Sequence, residues 1–150
     1  MSEISQVFIR DMEEGEEFAE WLSDLILRDE EETGRAIRSE DRYLVLSNEI
    51  GDWIGGLRYA LQGGVARLQQ LAVRPEERHA GHAHRLLQAF EERAIESGAH
   101  LVEFWTDDLR SEGFLTAVGW RRVMERDDYV GHRRWYLMEK PLPQMAAIES

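Results

Sequence analysis

The chain has no cysteine, which excludes a disulfide framework and thiolate chemistry. No apolar run approaches the roughly 18 residues that crossing a bilayer requires. The opening stretch MSEISQVFIRDMEEGEEF has no basic start leading into an apolar segment, so neither a membrane span nor a secretory signal is expected. A cytoplasmic location follows as the expectation. Positive charge is scarce: 18 Lys and Arg stand against 30 Asp and Glu, for a net charge of −12. A general nucleic-acid binder would need a basic footprint, so no nucleic-acid partner is expected. The acidic excess favours solubility and could attract cationic partners; a salt-adapted host would give the same balance. The chain contains no GxxxxGK[ST] and no GxGxxG, so it has neither a P-loop nor a dinucleotide-binding turn. Internal repeats and low-complexity segments are absent as well.

What is present is a chain of 150 residues, 43% hydrophobic, of a size typical for one globular domain. Val7 and Ile9 alternate within residues 5–12, which predicts a first strand. Phe18, Trp21, Leu22, Leu25 and Ile26 then recur at helical spacing, and Asp11 with Glu14 forms a candidate capping box. Residues 43–48, 53–61 and 65–73 read as three strands, with Gly63-Gly64 as a hairpin turn. Gly55-Gly56 marks a bulge or a close backbone approach. From Gly81 to Ser97, Ala83, Leu86, Leu87, Phe90 and Ala94 form a helical stripe, closed by Gly98. A strand over 100–106, a short helix over 111–120 and two strands on either side of DDYVGH complete the pattern. This predicts an α/β fold with a mixed, mostly antiparallel sheet of six to seven strands and about four helices. The predicted domain spans residues 1–142, and 143–150 is a loose tail.

One stretch runs against the global charge. LAVRPEERHAGHAHRLLQAFEERA (71–94) places Arg74, Arg78, His79, His82, His84 and Arg85 within twelve residues, where a strand gives way to a helix. A helix N-terminus carries unpaired N–H groups and about half a positive charge. After a strand it makes a ready anion site, to which Arg78 and the histidines could add donors. The spacing H-x-x-H-x-H also raises metal binding. Across a loop-to-helix junction, however, the three rings would point different ways, and no H-E-x-x-H pattern is present, so no metal is assigned. His84 and Arg85 could equally be plain exposed helix positions.

These residues resemble the central motif of the GNAT superfamily of N-acetyltransferases. That motif is a strand ending in an apolar-Ala-Val triplet, then x-Pro, then [Arg/Gln]-x-x-Gly-x-[Gly/Ala] opening a helix with paired leucines. Here the positions are Leu71-Ala72-Val73, Pro75, Arg78, Gly81, Ala83 and Leu86-Leu87. GFLTAVGW (113–120) resembles the second hallmark of the family, an aromatic-x-x-x-x-Gly-aromatic segment. The resemblance spans residues 4–142. It implies a GNAT-like fold and acetyl-CoA as acyl donor, with the pyrophosphate on the amides of His79, Ala80, Gly81, His82 and Ala83, beside Arg78. It implies further that the pantetheine arm pairs with Leu71, Ala72 and Val73, and that Asp108, after the next strand, contacts that arm.

The sequence departs from the family at the chemistry. Many members carry a tyrosine acid where Leu115 stands, and some carry a glutamate base on the strand where Gln69 and Gln70 stand. The remaining candidates are Glu103, Asp107, Asp108 and Glu112 as base, and Tyr129 or Tyr136 as acid. Each has a structural alternative: Glu103 as a charged group on a solvated strand face, the two aspartates as helix caps, the tyrosines as packing groups. The segments expected to select the acceptor are WLSDLILRDEEETGRAI and RDDYVGHRRWY. Their acidic or mixed charge suggests a small cationic amine acceptor. The competing reading is a catalytically silent acyl-CoA-binding module. A homodimer is an open expectation.

Overall fold

The computed structural model describes residues 6–144. The chain divides into two compact units, residues 1–37 and 38–150. In the first unit the described residues hold one helix, α1 (Glu16–Glu32). Phe18 and Trp21 stack on it with ring centroids 5.4 Å apart. The strand expected over residues 5–12 does not form where it is described: residues 6–12 join no ladder. Alternation of Val7 and Ile9 permits a strand, but a strand exists only where another backbone pairs with it. The capping box is absent too, because the helix starts beyond it, behind Gly15, with no side-chain cap.

The second unit is a six-stranded sheet with two helices. Its strands are β1 (Ser39–Ser47), β2 (Trp53–Gln62), β3 (Val65–Val73), β4 (Leu101–Thr106), β5 (Arg121–Arg126) and β6 (Trp135–Pro141). The helices are α2 (His82–Glu96) and α3 (Leu109–Ala117). The strands lie in the order β1-β2-β3-β4-β6-β5. Only β3 and β4 are parallel; all other neighbours are antiparallel. The mixed, mostly antiparallel α/β sheet is as predicted, with six strands and three α-helices among the described residues. Residues 143 and 144 are outside any element, and the rest of the expected tail lies beyond the described residues.

Local chemistry explains the joints. The β2–β3 turn is Gly63-Gly64, with φ of 55° and 88°, the double left-handed geometry of a tight hairpin turn. Gly55 and Gly56 mark close backbone approach: an added Cβ would lie 2.6 Å from the Ala72 carbonyl oxygen and 2.8 Å from that of Leu44, respectively. α2 ends in a double capping turn, with the Gly98 N–H donating to Ile95 O (3.0 Å) and the Ala99 N–H to Ala94 O (2.9 Å).

The core lies between one sheet face and the two helices. α2 packs on β1 to β3, and α3 packs against β4 to β6. Leu86, Leu87, Phe90 and Ala94 are the buried stripe of α2. Phe90 meets Tyr59 edge-on with centroids 5.0 Å apart. Trp120, the aromatic that closes GFLTAVGW, is buried and donates its indole N–H to Glu91 Oε2 at 3.0 Å. The other Glu91 oxygen accepts from Lys140 Nζ at 2.8 Å. One carboxylate of α2 is thereby bonded to the start of β5 and to β6.

Glu91→Ala would strand the Trp120 N–H and leave Lys140 without its carboxylate. A loss of about 1–3 kcal/mol is expected, read as a lower urea midpoint at unchanged slope. An unchanged midpoint would mean that this contact does not hold α2 in place.

Candidate active site

The sheet opens at its one parallel seam. β3 and β4 pair from Val65↔Leu101 to Leu68↔Phe104 and no further. Beyond that point β3 runs on beside β2, and β4 beside β6. The parting coincides with a bulge. Tyr59 pairs with Leu68 and Arg58 with Gln70, so Gln69 has no partner. A bulge bends and twists its strand, which carries the end of β3 away from β4. It also resets the alternation of side chains. Leu71 and Val73 now share the helix-covered face with Ala66 and Leu68, while Gln70 and Ala72 face the opposite side.

The chain then turns into α2. The Arg74 N–H donates to Ile54 O at 2.9 Å, and Pro75–Glu77 form one 3₁₀ turn. Arg78 Nε reaches back to the Val73 carbonyl at 3.1 Å, fastening the loop to the strand it leaves. His79 (φ 67°) and Gly81 (φ 83°) are both left-handed, on either side of Ala80. Such turns make main-chain N–H groups converge into an anion-binding concavity. α2 then begins behind Gly81 with no side chain capping its first turn. A Cβ on Gly81 would meet nothing within 4 Å, so open space faces the free amides.

That space is a cavity of about 410 Å³. Leu71-Ala72-Val73 line one side, and Arg78, His79, Gly81, His82 and Ala83 another. His82 Nδ1 is shut off from solvent with no hydrogen-bond partner, a group that an anion at the helix entrance would satisfy. A further cavity of about 360 Å³ continues between α2 and α3 over the seam. It shares Leu71, Arg78, Ala83 and Phe114 with the first, and Ser111 and Leu115 close its far side. A long ligand with a diphosphate and a slender apolar arm fits this shape, and the uncapped amides suit its charge.

The other sheet face carries a third cavity of about 900 Å³, bordered by Tyr43, Trp53, Arg58, Gln70 and Arg74. It shares Ala72, Val73 and Arg78 with the first. The free end of β3 is therefore the wall between two cavities. Arg74 is turned toward Glu76 at 2.8 Å. The Glu76 carboxyl is held below its ordinary range, first by a hydrogen bond from its own backbone N–H and then by Arg74.

The remaining sequence-predicted residues fall in different places. Asp107, just past β4, is half-buried and paired with Arg133 at 3.2 Å. Tyr129 lies against Trp105 of β4, tilted by 44° with centroids 5.7 Å apart, and Arg126 stands 4.9 Å from the centre of its ring. Glu103 sits inside the closed part of the seam, opposite Arg67, whose guanidinium is 3.4 Å away. Asp108 caps α3, accepting from the Arg110 N–H at 3.0 Å and the Ser111 hydroxyl at 3.2 Å. Ala80 is exposed and outside the lining of the cavity. Tyr136 and Leu115 are buried in the core. Arg58 and Ser111 border the cavities without having been singled out from sequence, while Gln70 and Phe114 stand out there only for their places in the family motifs. The two-residue glycine turn fixes Gln62 opposite Val65 and so brings Arg58 close to Gln70, but that signal needs the bulge before it points to a site.

A sequence profile of the Acetyltransferase (GNAT) family matches residues 4–120. No curated protein matches the chain. Among solved structures, a protein assigned as an acetyltransferase from Agrobacterium tumefaciens superposes with a TM-score of 0.76 at 18% identity, covering 92% of this chain and 100% of that one. An acetyltransferase from Bacillus cereus ATCC 14579 gives 0.70 at 22% identity, over 89% and 98%. The ribosomal-protein-S18-alanine N-acetyltransferase from Escherichia coli gives 0.63 at 17% identity, over 73% and 75%. At these identities the superpositions speak for the fold. With the profile over most of its length, the parted seam and the uncapped entrance of α2, this chain belongs to the GNAT family of acetyltransferases.

Proposed function

We propose that the protein transfers the acetyl group of acetyl-CoA to the amine of a small cationic acceptor by direct attack. The observation that carries this reading is the free end of β3 as a shared wall: a cavity shaped for the donor on one face, a second cavity on the other, both touching Ala72. Bound acetyl-CoA would supply an acyl carbon on a good sulfur leaving group. The chain's own groups do the rest. The amides of His79, Gly81, His82 and Ala83, with the Arg78 guanidinium nitrogens not bonded to Val73, hold the diphosphate. The backbone of Leu71 to Val73, free of β4, aligns the arm, and an N–H at or beside Ala72 meets the charge that develops on the acyl oxygen.

The incoming ammonium must lose a proton before its nitrogen can form the new C–N bond. As the C–S bond breaks, the sulfur must gain one. Asp107 is the base of this proposal and Tyr129 the acid, on the β4 side of the parting. Glu103, further inside the seam, is a second carboxylate that helps deprotonate the acceptor. Holding the reactants in line supplies the larger share of the rate. A small cationic acceptor has its support in the net charge of −12, which draws cations by long-range attraction. Among the described residues no helix is long and apolar enough to cross a membrane.

Mixing the protein with acetyl-CoA and a panel of amines, and following thiol release, tests the transfer. Binding of coenzyme A without thiol release for any amine would instead identify a silent binding module. Gly81→Asp puts a charged side chain into the open space before the free amides. The dissociation constant for coenzyme A, read by calorimetry, is expected to rise about tenfold or more; an unchanged value removes Gly81 from the site. Tyr129→Phe is expected to lower kcat about 10²-fold at unchanged acetyl-CoA affinity, and full activity would leave Tyr129 a packing residue.

A further inference from the structure

The cavity on the acceptor side is lined against the charge of the whole chain. Arg58, Arg74 and Arg78 border it, and among the described residues no Asp or Glu does. Two of these cations are engaged elsewhere: Arg74 with Glu76, and Arg78 with the Val73 carbonyl. Arg58 is different. One of its terminal nitrogens reaches Asp41 at 3.3 Å, and the guanidinium stands 5.9 Å from the centre of the Tyr43 ring. Its Nε is shut off from solvent and has no hydrogen-bond partner. Arg58 also lies opposite Gln70, the residue after the bulge, on the strand end that both cavities share.

A guanidinium presents five donors in a planar fork that suits a carboxylate. Asp41 takes one corner of that fork and leaves the rest. A simple polyamine in this cavity would meet three guanidiniums, two of them with a carboxylate partner outside the lining, and no carboxylate of the described lining to receive its own charge. We infer that Arg58 binds a carboxylate on the acceptor itself, which makes the acceptor a diamino carboxylate. One amine receives the acetyl group, the second keeps the molecule cationic in the acidic field, and the carboxylate rests on Arg58. The inference takes its chemistry from the acetyl-transfer reading, but its test by binding does not need turnover.

Lysine, its methyl ester and cadaverine carry the same two amines and differ only in the carboxylate. Each is titrated calorimetrically into the protein with coenzyme A present. Ornithine and 2,4-diaminobutyrate are compared with their own diamines in the same way. For at least one pair, the acid is expected to bind about tenfold tighter or more than its diamine, and its ester is expected to bind as weakly as the diamine. Arg58→Gln is expected to erase that difference by weakening the acid, with diamine affinity equal or higher because one like charge is gone. Acids no tighter than their diamines would overturn the inference, as would an Arg58→Gln variant that weakens all three forms alike. Should the variant fail to fold, the comparison on the unsubstituted protein decides. Tight binding of an acid without thiol release from acetyl-CoA would overturn the transfer reading alone.

Discussion

Two parallel strands that stop pairing after four residue pairs organise this protein. Everything that bears on function lies where β3 leaves β4. The physical agent is one extra residue, Gln69, in the β2–β3 ladder. It bends the strand and frees a backbone edge that β4 would otherwise occupy. It also moves Leu71 and Val73 onto the helix face and Gln70 and Ala72 onto the other. One strand end can then serve a ligand edge-on and separate two cavities by its faces.

An opening of this kind is useful only if the helix that follows it stays in place. α2 is held at its middle by Phe90 on Tyr59 and by Glu91 on Trp120 and Lys140. These contacts bridge the two halves of the sheet, which have separated at the seam. The entrance of α2 stays bare: no side chain caps it, and Arg78 braces the loop through its Nε on the Val73 carbonyl. Rigid packing behind and free amides in front are what an anion site at a helix start requires.

Charge is arranged on two scales. Across the chain, carboxylates dominate and give a field that attracts cations. Around β3 the balance differs, with Arg58, Arg74 and Arg78 lining the cavity on one face and Arg78 beside Glu77 the cavity on the other. Over distances beyond about 10 Å the outer field is screened by salt, so local lining governs what is bound and net charge governs what is drawn near.

Much of this is legible in the residues themselves. The apolar spacing from Ala83 to Ala94, Gly98 at the helix end and Gly63-Gly64 in the turn are local signals, and the elements they mark are present. The motif from Leu71 to Leu87 marked the strand, the loop and the helix entrance. Less visible were the features that arise only when distant segments meet. The strand expected over residues 5–12 had the right alternation, yet residues 6–12 find no partner to pair with. Asp108, read as a ligand contact with helix capping as its alternative, caps α3. The bulge at Gln69 has no signature of its own, because it is a mismatch between two strands rather than a property of either. Local sequence thus determined which segments become helix, strand and turn, since capping, periodicity and left-handed φ depend on near neighbours. Tertiary structure alone decided where the sheet opens, which face each side chain takes, and that Arg58 stands at the opening, since strand register is settled only when strands pair.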